Sequence, residues 1–419
     1  MTDRPKIHLV FFGEQGHGKS TLIGRLLFET GQVSNELLER YMQEAAEVGK
    51  QGVHFAWVMD QSPQERKLGY TTYVRFRDFN TSKYTIWAVD TPGHDDHVDR
   101  VAVGLSEADV GILIVAANQG GTSRTEEHSV LARMLGVQQL IVAITKIDLV
   151  DYSERYINRL IQELQSLLLE IGYSKDQLTF VPVSALIGEN IENKSEALHW
   201  FNGPSLLRAF DLLNAPQKLT SLPFRLPIDT VFYKSGVGTI VCGKIATGIV
   251  RKGDQVVFEP GGVIGSVHSI EEVHQERPQF EAGDNVGILV DGIDSSQVDV
   301  GYVMGHSINP PISNSWFTAK VNILHYKTRL YEGQTLTLLV HAARVPITIE
   351  SIMSKLDPKT EKVLNDSPQY LRTLDKGIIQ FRTHRPVVIE PPSVVPQLSR
   401  FVLRESNRTI AAGVRLETE

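Results

Sequence analysis

The sequence predicts an α/β domain with a mostly parallel sheet and helices on both faces, followed by two all-β barrel domains. Three observations predict this order. Apolar strand-like runs alternate with helical stretches in the first half, and short glycine-punctuated segments replace them past Leu222-Pro223. Asn309-Pro310-Pro311 then has the composition of a second linker. The predicted domains are residues 1–217, 218–308 and 309–419.

The elements of the first half are predicted from apolar runs and helical periodicity. Strands are expected at 7–12, 84–90, 110–117, 140–145 and 180–184, and helices at 21–28, 125–135, 156–171 and 204–213. Such short apolar strands, each followed by a helix, are typical of a parallel sheet that is covered on both faces. Ligands of these sheets bind at the carboxyl ends of the strands.

The second half is predicted to be all β. Strand-like segments at 225–232, 239–245 and 255–258 are separated by glycines at a spacing typical of a small barrel. A further all-β section is expected from 317 to 416. The boundary between the α/β domain and the first barrel is placed near Asn214-Ala215-Pro216.

Composition limits the class of protein. The net charge is −7, which argues against a protein that coats nucleic acid over its whole surface. Residues 309–419 nevertheless carry a net charge of +5 against −12 for 1–308, which indicates either an RNA-facing end or ordinary surface scatter. No apolar run approaches the roughly 18 residues of a membrane span, so no membrane is expected as a partner. The single cysteine, Cys242, excludes an internal disulfide, and together these features predict a cytoplasmic protein.

The first motif follows the first strand. It matches G-x-x-x-x-G-K-[ST] and consists of Gly13, Glu14, Gln15, Gly16, His17, Gly18, Lys19 and Ser20, with a helix expected from Thr21. A glycine loop that leads from a strand into a helix N-terminus presents backbone N–H groups to phosphates. Lys19 is expected to reach the β- and γ-phosphates, and the Ser20 hydroxyl to hold Mg²⁺. A chance match in a glycine-rich turn is the alternative.

The second motif is Asp90, Thr91, Pro92, Gly93 and His94, at the end of the 84–90 strand. An aspartate at this point can hold Mg²⁺ through water, and the glycine N–H can approach the γ-phosphate. Loss of that phosphate would release the segment, as in switch loops. A simple D-T-P-G turn is the alternative.

The third and fourth motifs predict the base. In Thr145, Lys146, Ile147 and Asp148, the carboxylate can accept hydrogen bonds from guanine N1–H and the exocyclic amine, which adenine does not offer as a pair. Lys146 would lie over the base. Ser184, Ala185 and Leu186 end the next strand and would supply a backbone N–H to guanine O6. The pattern therefore predicts a site for GTP or GDP with Mg²⁺.

These motifs occur in a chain that resembles the translational GTPases, specifically the elongation factor Tu and elongation factor 1-alpha family. The resemblance covers nearly the whole length. The segments that carry it are 44–47, 55–60, 81–84 and 135–142, then 199–207 in the nucleotide domain, 236–241 and 283–287 in domain 2, and 400–410 in domain 3. It implies a Mg²⁺-dependent GTPase that delivers aminoacyl-tRNA to the ribosome, with an exchange factor as a possible further partner.

The resemblance also implies roles for individual residues. Thr71 would be the switch threonine that completes the Mg²⁺ shell in the GTP state, with Thr72 as the alternative if the register is shifted by one. His94 would orient the attacking water. Glu271 and Asn285 align with residues that line the aminoacyl-end pocket of domain 2, although an exposed acid and a turn asparagine are equally good explanations of both.

The chain also departs from the family pattern. Glu14 and Gly16 replace the usual His and Asp of the phosphate loop, and Gln15 replaces the apolar residue between them. Tyr70 replaces the usual switch Ile, Thr145 replaces the Asn of N-K-x-D, and residues 95–101 lack the usual K-N-M. We therefore expect intact nucleotide binding, but an altered apolar gate around His94 with atypical basal hydrolysis.

Two other functions share this fold and stay open at this point, because fold alone does not determine function. One is the GTPase subunit of sulfate activation, which partners an ATP sulfurylase. The other is a ribosome-rescue or release-factor partner in which GTP only sets the conformation.

Overall fold

The computed structural model describes residues 4–94, 98–215, 217–272, 275–324, 329–358, 360–406 and 408–417. The chain forms two compact units. One comprises Met1–Arg133 and Val137–Pro216, and the other comprises Met134–Gly136 and Gln217–Glu419. The described part of the chain has no helix with both the length and the apolar character needed to cross a membrane.

The first unit is built on a six-stranded sheet in the order β2-β3-β1-β4-β5-β6. Its strands are β1 (Lys6–Phe12), β2 (Arg75–Asn80), β3 (Thr85–Asp90), β4 (Val110–Ala116), β5 (Leu140–Thr145) and β6 (Leu178–Pro182). All neighbours are parallel except β2, which pairs antiparallel with β3. The predicted parallel sheet is thus confirmed, with one edge strand that the sequence reading did not include.

Helices cover this sheet. They are α1 (Lys19–Glu29), α2 (Asn35–Glu47), α3 (Ala56–Met59), α4 (Pro63–Leu68), α5 (Val98–Ser106), α6 (Ser123–Leu135), α7 (Glu154–Ile171) and α8 (Leu206–Asp211). Those predicted at 21–28, 125–135, 156–171 and 204–213 correspond to α1, α6, α7 and α8. Helices α2 to α5 were missed, although Ser34 caps α2 by accepting a hydrogen bond from the Leu37 N–H at 3.3 Å.

The apolar strands of the first unit are buried on both faces. Apart from Lys6, the residues of β1, β4 and β5 are buried, as expected for central parallel strands. One core packs α1 and α3 against the sheet through Leu22, Leu26, Phe55 and Met59. Gly24 makes this close packing possible, because a Cβ there would lie 1.9 Å from the Phe55 carbonyl oxygen.

From Gln217 on, the described residues of the second unit form β-strands, turns and short 3₁₀ helices. The strands of domain 2 are β7 (Arg225–Pro227), β8 (Thr230–Lys234), β9 (Gly238–Lys244), β10 (Ile249–Arg251), β11 (Gln255–Glu259), β12 (Val263–Glu272), β13 (Gln275–Glu276), β14 (Gln279–Glu281), β15 (Asn285–Asp291) and β16 (Val303–His306). The single strand expected at 225–232 is two strands, because β7 pairs with β16 whereas β8 pairs with β9.

Domain 3 has its own sheet in the order β19-β24-β25-β17-β23-β20-β21. Its strands are β17 (Ser313–Ile323), β18 (Arg329–Tyr331), β19 (Thr335–Val340), β20 (Ala343–Leu356), β21 (Val363–Asp366), β22 (Tyr370–Arg372), β23 (Lys376–Val388), β24 (Arg400–Glu405) and β25 (Arg408–Arg415). Strands β19 and β20 also pair with each other, and β18 pairs with β22 in a small separate sheet. The phenylalanines of β17, β23 and β24 pack together in its core.

Candidate nucleotide-binding site

A cavity of about 350 Å³ opens where the carboxyl ends of the first unit's strands converge. This volume lies in the usual range for a site that holds a small molecule. The lining residues are Gln15, Gly16, Gly18, Lys19, Ser20, Thr21, Gly52, Val53, Ala56, Asp60, Gly69, Tyr70, Thr71, Gly93, Thr145, Lys146, Asp148, Leu149, Ala185 and Leu186. All four sequence motifs therefore contribute to one cavity.

The glycine loop adopts a conformation that needs its glycines. Gly18 lies at the N-cap of α1 with a φ of 94°, in the left-handed region. Gly13 has a φ of 142°, and a Cβ there would lie 2.4 Å from the Ile114 carbonyl oxygen. The loop thus packs against β4 and turns the N-terminal amides of α1 toward the cavity, which makes an anion site.

Lys19 is buried in this loop. Its ammonium donates hydrogen bonds to the carbonyl oxygens of Gly13 at 3.0 Å and Glu14 at 2.9 Å. Burial lowers the pKa of Lys19 to about 8, although Asp90 and Glu14 oppose the shift. A polyanionic ligand would supply the negative charge that this buried cation lacks.

Three residues of the loop form hydrogen bonds to other segments of the first unit. The Thr122 hydroxyl donates to Glu14 Oε2 at 2.6 Å, and the buried His17 ring contacts the Ile114 carbonyl oxygen through Nδ1 at 3.2 Å. The Gln15 N–H donates to the Gly93 carbonyl oxygen at 3.1 Å. Glu14 and Gln15 therefore join the loop to two other segments.

The segment after β3 lies directly against the loop. The Thr91 hydroxyl donates to the Phe11 carbonyl oxygen at 2.8 Å. A Cβ on Gly93 would lie 2.3 Å from Lys19 Nζ and 2.7 Å from Gln15 N, so no larger residue fits there. The Asp90 carboxylate is fully buried, and neither oxygen has a hydrogen-bond partner among the described residues. Burial raises the pKa of Asp90 to about 7, and the neighbouring Ser20 hydroxyl and the charge of Lys19 oppose this shift.

The predicted base-reading residues lie at the ends of β5 and β6. The Thr145 hydroxyl donates to the His17 carbonyl oxygen at 2.6 Å, and Lys146 Nζ donates to the Gly16 carbonyl oxygen at 2.6 Å. The Ser184 hydroxyl donates to Asp148 Oδ1 at 2.5 Å. These bonds fix the two loops on each other and leave Asp148 at the cavity wall.

Arg25 supports the 184–186 loop from α1. Its guanidinium donates to the carbonyl oxygens of Ala185 at 2.8 Å and Leu186 at 2.6 Å, and lies 4.1 Å from the centroid of the Phe55 ring. The sequence reading did not identify Arg25, because its partners are about 160 residues away in the chain and no local pattern marks it.

Thr71 is the threonine that meets the phosphate loop. Its Oγ1 lies 2.8 Å from Ser20 Oγ and donates to Asp60 Oδ1 at 2.8 Å. Thr72 instead contacts Glu65, through its N–H at 2.9 Å and its hydroxyl at 3.1 Å. Asp60 was also missed by the sequence reading, which used its segment only for the family resemblance. Burial raises the pKa of Asp60 to about 6, and the Thr71 hydrogen bond opposes that shift.

His94 follows Gly93 and stacks on Tyr70. The two ring centroids lie 5.3 Å apart with an interplanar angle of 18°. Tyr70 lines the cavity, whereas His94 does not. The tyrosine that replaces the usual isoleucine at position 70 thus forms a stacking contact with the His94 ring.

The predicted domain 2 pair lies in the second unit. Glu271 on β12 is exposed and stands opposite Gly287 of β15, and Asn285 lies two residues earlier on β15. Both side chains therefore occur on the outer face of the domain 2 sheet, as their alternating burial indicates.

Comparison with known proteins gives the family. Residues 4–220 match the elongation factor Tu GTP binding domain, residues 238–305 match elongation factor Tu domain 2, and residues 316–415 match the GTP-eEF1A C-terminal domain-like family. The chain is 41% identical over 420 residues to elongation factor 1-alpha of Methanocaldococcus jannaschii, with 99% of this chain and 98% of the relative covered. The chain belongs to the elongation factor Tu/1-alpha family.

A second relative agrees with this assignment. Elongation factor 1-alpha of Methanothrix thermoacetophila is 43% identical over 413 residues, which cover 98% of this chain and 97% of the relative. As a member of the elongation factor Tu/1-alpha family, the protein is a translation elongation factor that binds GTP and GDP and hydrolyses GTP. These relatives do not favour the sulfate-activation or rescue-factor alternatives.

A solved structure agrees on the fold. The Ski7 GTPase-like domain of S. cerevisiae, bound to GTP, superposes with a TM-score of 0.81 at 15% identity, covering 99% of this chain and 98% of that one. The predicted P-loop domain followed by two β domains is therefore confirmed for this elongation factor Tu/1-alpha family member.

Proposed function

We propose that this protein delivers aminoacyl-tRNA to the ribosome in its GTP-bound state. The observation that carries the proposal is the likeness, over nearly the whole chain, to proteins named elongation factor 1-alpha. The domains are proposed to divide at 217/218 and 308/309. An exchange factor that replaces GDP by GTP is a further expected partner.

A basic and aromatic surface on domain 3 supports RNA as the partner. Arg329 of β18 and Arg372 of β22 stand opposite each other, and their guanidinium carbons lie 4.8 and 5.1 Å from the centroid of the Tyr370 ring. Neither guanidinium forms an ion pair with a carboxylate of the described residues. Guanidinium groups of this kind bind phosphates, so we assign this surface to the tRNA backbone.

The nucleotide roles proposed for the motifs agree with the contacts. Lys19 would neutralise the β- and γ-phosphates, while the N–H of Gly93 would sense the γ-phosphate from a position that no Cβ can occupy. Asp148 would accept the guanine N1–H and amine, with Lys146 over the base. Of the remaining predicted residues, 15, 16, 18, 21, 145, 185 and 186 line the cavity and would form its walls. Residues 13, 14, 17, 90–92 and 184 are not among the lining residues, and we propose that they support these walls.

The donor set fits Mg²⁺. Ser20 Oγ and Thr71 Oγ1 are 2.8 Å apart, and adjacent ligands of an octahedral Mg²⁺ lie about 2.9 Å apart. The Asp90 carboxylate is buried, and the Ser20 hydroxyl and the Lys19 ammonium both favour its charged form. We propose that Ser20 and Thr71 would hold the ion directly and that Asp90 would hold it through water. Because the Thr71 hydroxyl donates a hydrogen bond to Asp60, an oxygen lone pair of Thr71 would be free for the metal. Bound Mg²⁺ would neutralise phosphate charge.

For hydrolysis, we propose that His94 orients the attacking water and that the Tyr70 ring restrains the His94 side chain. Tyr70 both stacks on His94 and lines the cavity, and this supports altered gating. Tyr70→Ala is expected to raise the intrinsic single-turnover rate about two- to tenfold, the strength of an aromatic pair. Tyr70→Phe keeps the ring and should retain the wild-type rate. Tight ribosome dependence of the wild type, with no response to Tyr70→Ala, would contradict the altered gate.

Domain 2 would hold the aminoacyl end near Glu271 and Asn285. The decisive experiment measures spontaneous hydrolysis of the aminoacyl ester of tRNA in the presence of the protein. We expect protection with GTP and little protection with GDP. Equal ester lifetimes with and without the GTP-bound protein would refute delivery, and Glu271→Ala with Asn285→Ala should reduce protection if these residues line the pocket.

A further inference from the structure

Thr72 joins two segments of the first unit. On one side, Glu65 Oε1 accepts hydrogen bonds from the Thr72 N–H, the Thr72 hydroxyl and, at 3.4 Å, the Tyr73 N–H. The same carboxylate pairs with Arg75 and accepts from the Ser62 hydroxyl at 2.9 Å. Burial tends to raise the pKa of Glu65, but these hydrogen bonds outweigh it and bring the pKa to about 2. The carboxylate is thus a charged anchor for the 72–75 segment.

On the other side, Arg100 of α5 holds the same residue. Arg100 Nη1 donates to the Thr72 carbonyl oxygen, and the guanidinium carbon lies 4.7 Å from the centroid of the Tyr73 ring. The backbone of Thr72 is therefore held at its N–H from α4 and at its carbonyl from α5. Arg100 falls in the stretch where the family's usual K-N-M is absent.

Helix α5 is a firm support for this contact. Its Val101 and Leu105 are buried. A Cβ on Gly104 would lie 2.8 Å from Thr91 Cγ2, so the helix packs closely on the segment that leads to Gly93. A group on α5 therefore keeps a defined position relative to Gly93.

We propose that Arg100 is a positioning residue for the magnesium site, acting through Thr72 on its neighbour Thr71. By fixing the Thr72 carbonyl to α5, it keeps the Thr71 hydroxyl beside Ser20 and joins the segment that carries a metal ligand to the segment that meets the γ-phosphate. This inference rests on the proposed role of Thr71 as a Mg²⁺ ligand in the GTP state.

The experiment compares GTP and GDP affinities of the full chain with and without Arg100. Arg100→Ala is expected to weaken Mg²⁺-dependent GTP binding about three- to tenfold, because a partly exposed charged hydrogen bond is lost. GDP binding should stay at the wild-type value, since it does not use Thr71. The Mg²⁺ concentration for half-maximal GTP binding should rise by a similar factor.

Matched variants separate positioning from a loss of folding. Arg77→Ala on β2 is the control, because the Arg77 guanidinium donates a hydrogen bond to the carbonyl oxygen of the adjacent Phe76 at 2.9 Å. This variant should leave both affinities unchanged. Arg100→Lys keeps the positive charge and the ability to donate a hydrogen bond, and should restore part of the GTP affinity. If Arg100→Ala does not fold, Arg100→Gln provides the same comparison with an uncharged donor.

A double-mutant cycle with Thr71→Ala tests the route of the effect. If Arg100 acts through Thr71, Arg100→Ala will have little further effect on GTP affinity in the Thr71→Ala background. Additive losses, or equal losses of GTP and GDP affinity, would overturn the Arg100 assignment alone. A Thr71→Ala chain with wild-type GTP affinity would overturn the proposed magnesium ligand, and the Arg100 assignment with it.

Discussion

The nucleotide cavity and the joint between the two β domains both bury charged side chains, but the joint contains a buried ion pair, Arg225–Glu390, with further hydrogen bonds to both partners. Arg225 and Glu390 are 1% and 0% exposed, and Arg225 Nε lies 3.0 Å from each Glu390 oxygen. The remaining guanidinium donors bond the carbonyl oxygens of Phe224, Asn309 and Pro310, and the Ile312 N–H donates to Glu390. This ion pair links domain 2 to domain 3.

The cavity shows the opposite condition. Asp90 has two buried oxygens without a hydrogen-bond partner among the described residues, and burial moves the pKa of Asp90, Asp60 and Lys19 toward their neutral forms. Buried charge is costly unless it is paired. The Arg225–Glu390 pair therefore stabilises the fold, whereas we propose that bound nucleotide and Mg²⁺ would compensate the buried charges of the cavity.

The largest expected effect is the loss of nucleotide binding when the buried cation of the cavity is removed. Lys19→Ala should abolish nucleotide binding, because no other cation faces the β- and γ-phosphates from within the loop. The nucleotide-free chain should keep its unfolding free energy to within about 1 kcal/mol, since burying the ammonium is itself costly. Titration with a fluorescent guanine nucleotide and urea denaturation measure the two quantities. A large loss of stability would mean that Lys19 is structural, like Glu390.

The next largest effect is a loss of stability when the buried ion pair of the joint is removed. Glu390→Ala should lower the unfolding free energy by about 3–5 kcal/mol, because it leaves the Arg225 charge buried without its partner. Urea denaturation measures the loss. Glu361→Ala is the matched control, since this half-exposed carboxylate pairs with Lys320 and Lys376 at the surface and should cost less than about 1 kcal/mol. Equal losses in the two variants would contradict the contrast.

Asp148→Asn tests whether the Asp148 carboxylate recognises the guanine base. The amide offers a donor where the carboxylate accepted, so GTP affinity should fall about 100-fold while affinity for xanthosine triphosphate rises. Competition binding with both nucleotides gives the ratio. Full GTP affinity in the variant would show that Asp148 does not read the base.

The smallest effect concerns a titratable side chain near the joint. Burial lowers the pKa of His341 to about 4, and its Nε2 contacts the Val388 carbonyl oxygen at 3.0 Å. The unfolded chain binds this proton near pH 6.5, so stability is complete above that pH and falls as the pH drops toward 4. Between pH 7 and 5 we expect a loss of about 2 kcal/mol from this group. His341→Gln should flatten the dependence in urea denaturation, and an unchanged slope would contradict the assignment.

Much of the nucleotide site followed from contiguous motifs. The glycine loop, Asp90 to Gly93, Thr145 to Asp148 and Ser184 to Leu186 each lie at a strand end, and parallel strands bring their carboxyl ends to one edge. Local spacing therefore predicted both the motifs and their convergence. The roles of these residues remain predictions.

Other features could not be read locally. Strand β2 has polar residues on its outer face and forms only by pairing with β3, so its burial alternates weakly and no apolar run marks it. The 225–232 segment has one continuous strand-like pattern, yet its two halves pair with β16 and β9. Pairing partners distant in the chain decided these cases.

The order of residues by itself determined the α/β domain, the two β domains that follow and the guanine-nucleotide motifs, because apolar periodicity and glycine placement are properties of short chain segments. Three contacts were found only in the folded structure. Thr71, and not Thr72, contacts Ser20, and Tyr70 stacks on His94. Arg225 forms an ion pair with Glu390. These contacts depend on the positions of side chains from separate elements after packing, and no local pattern encodes such distances.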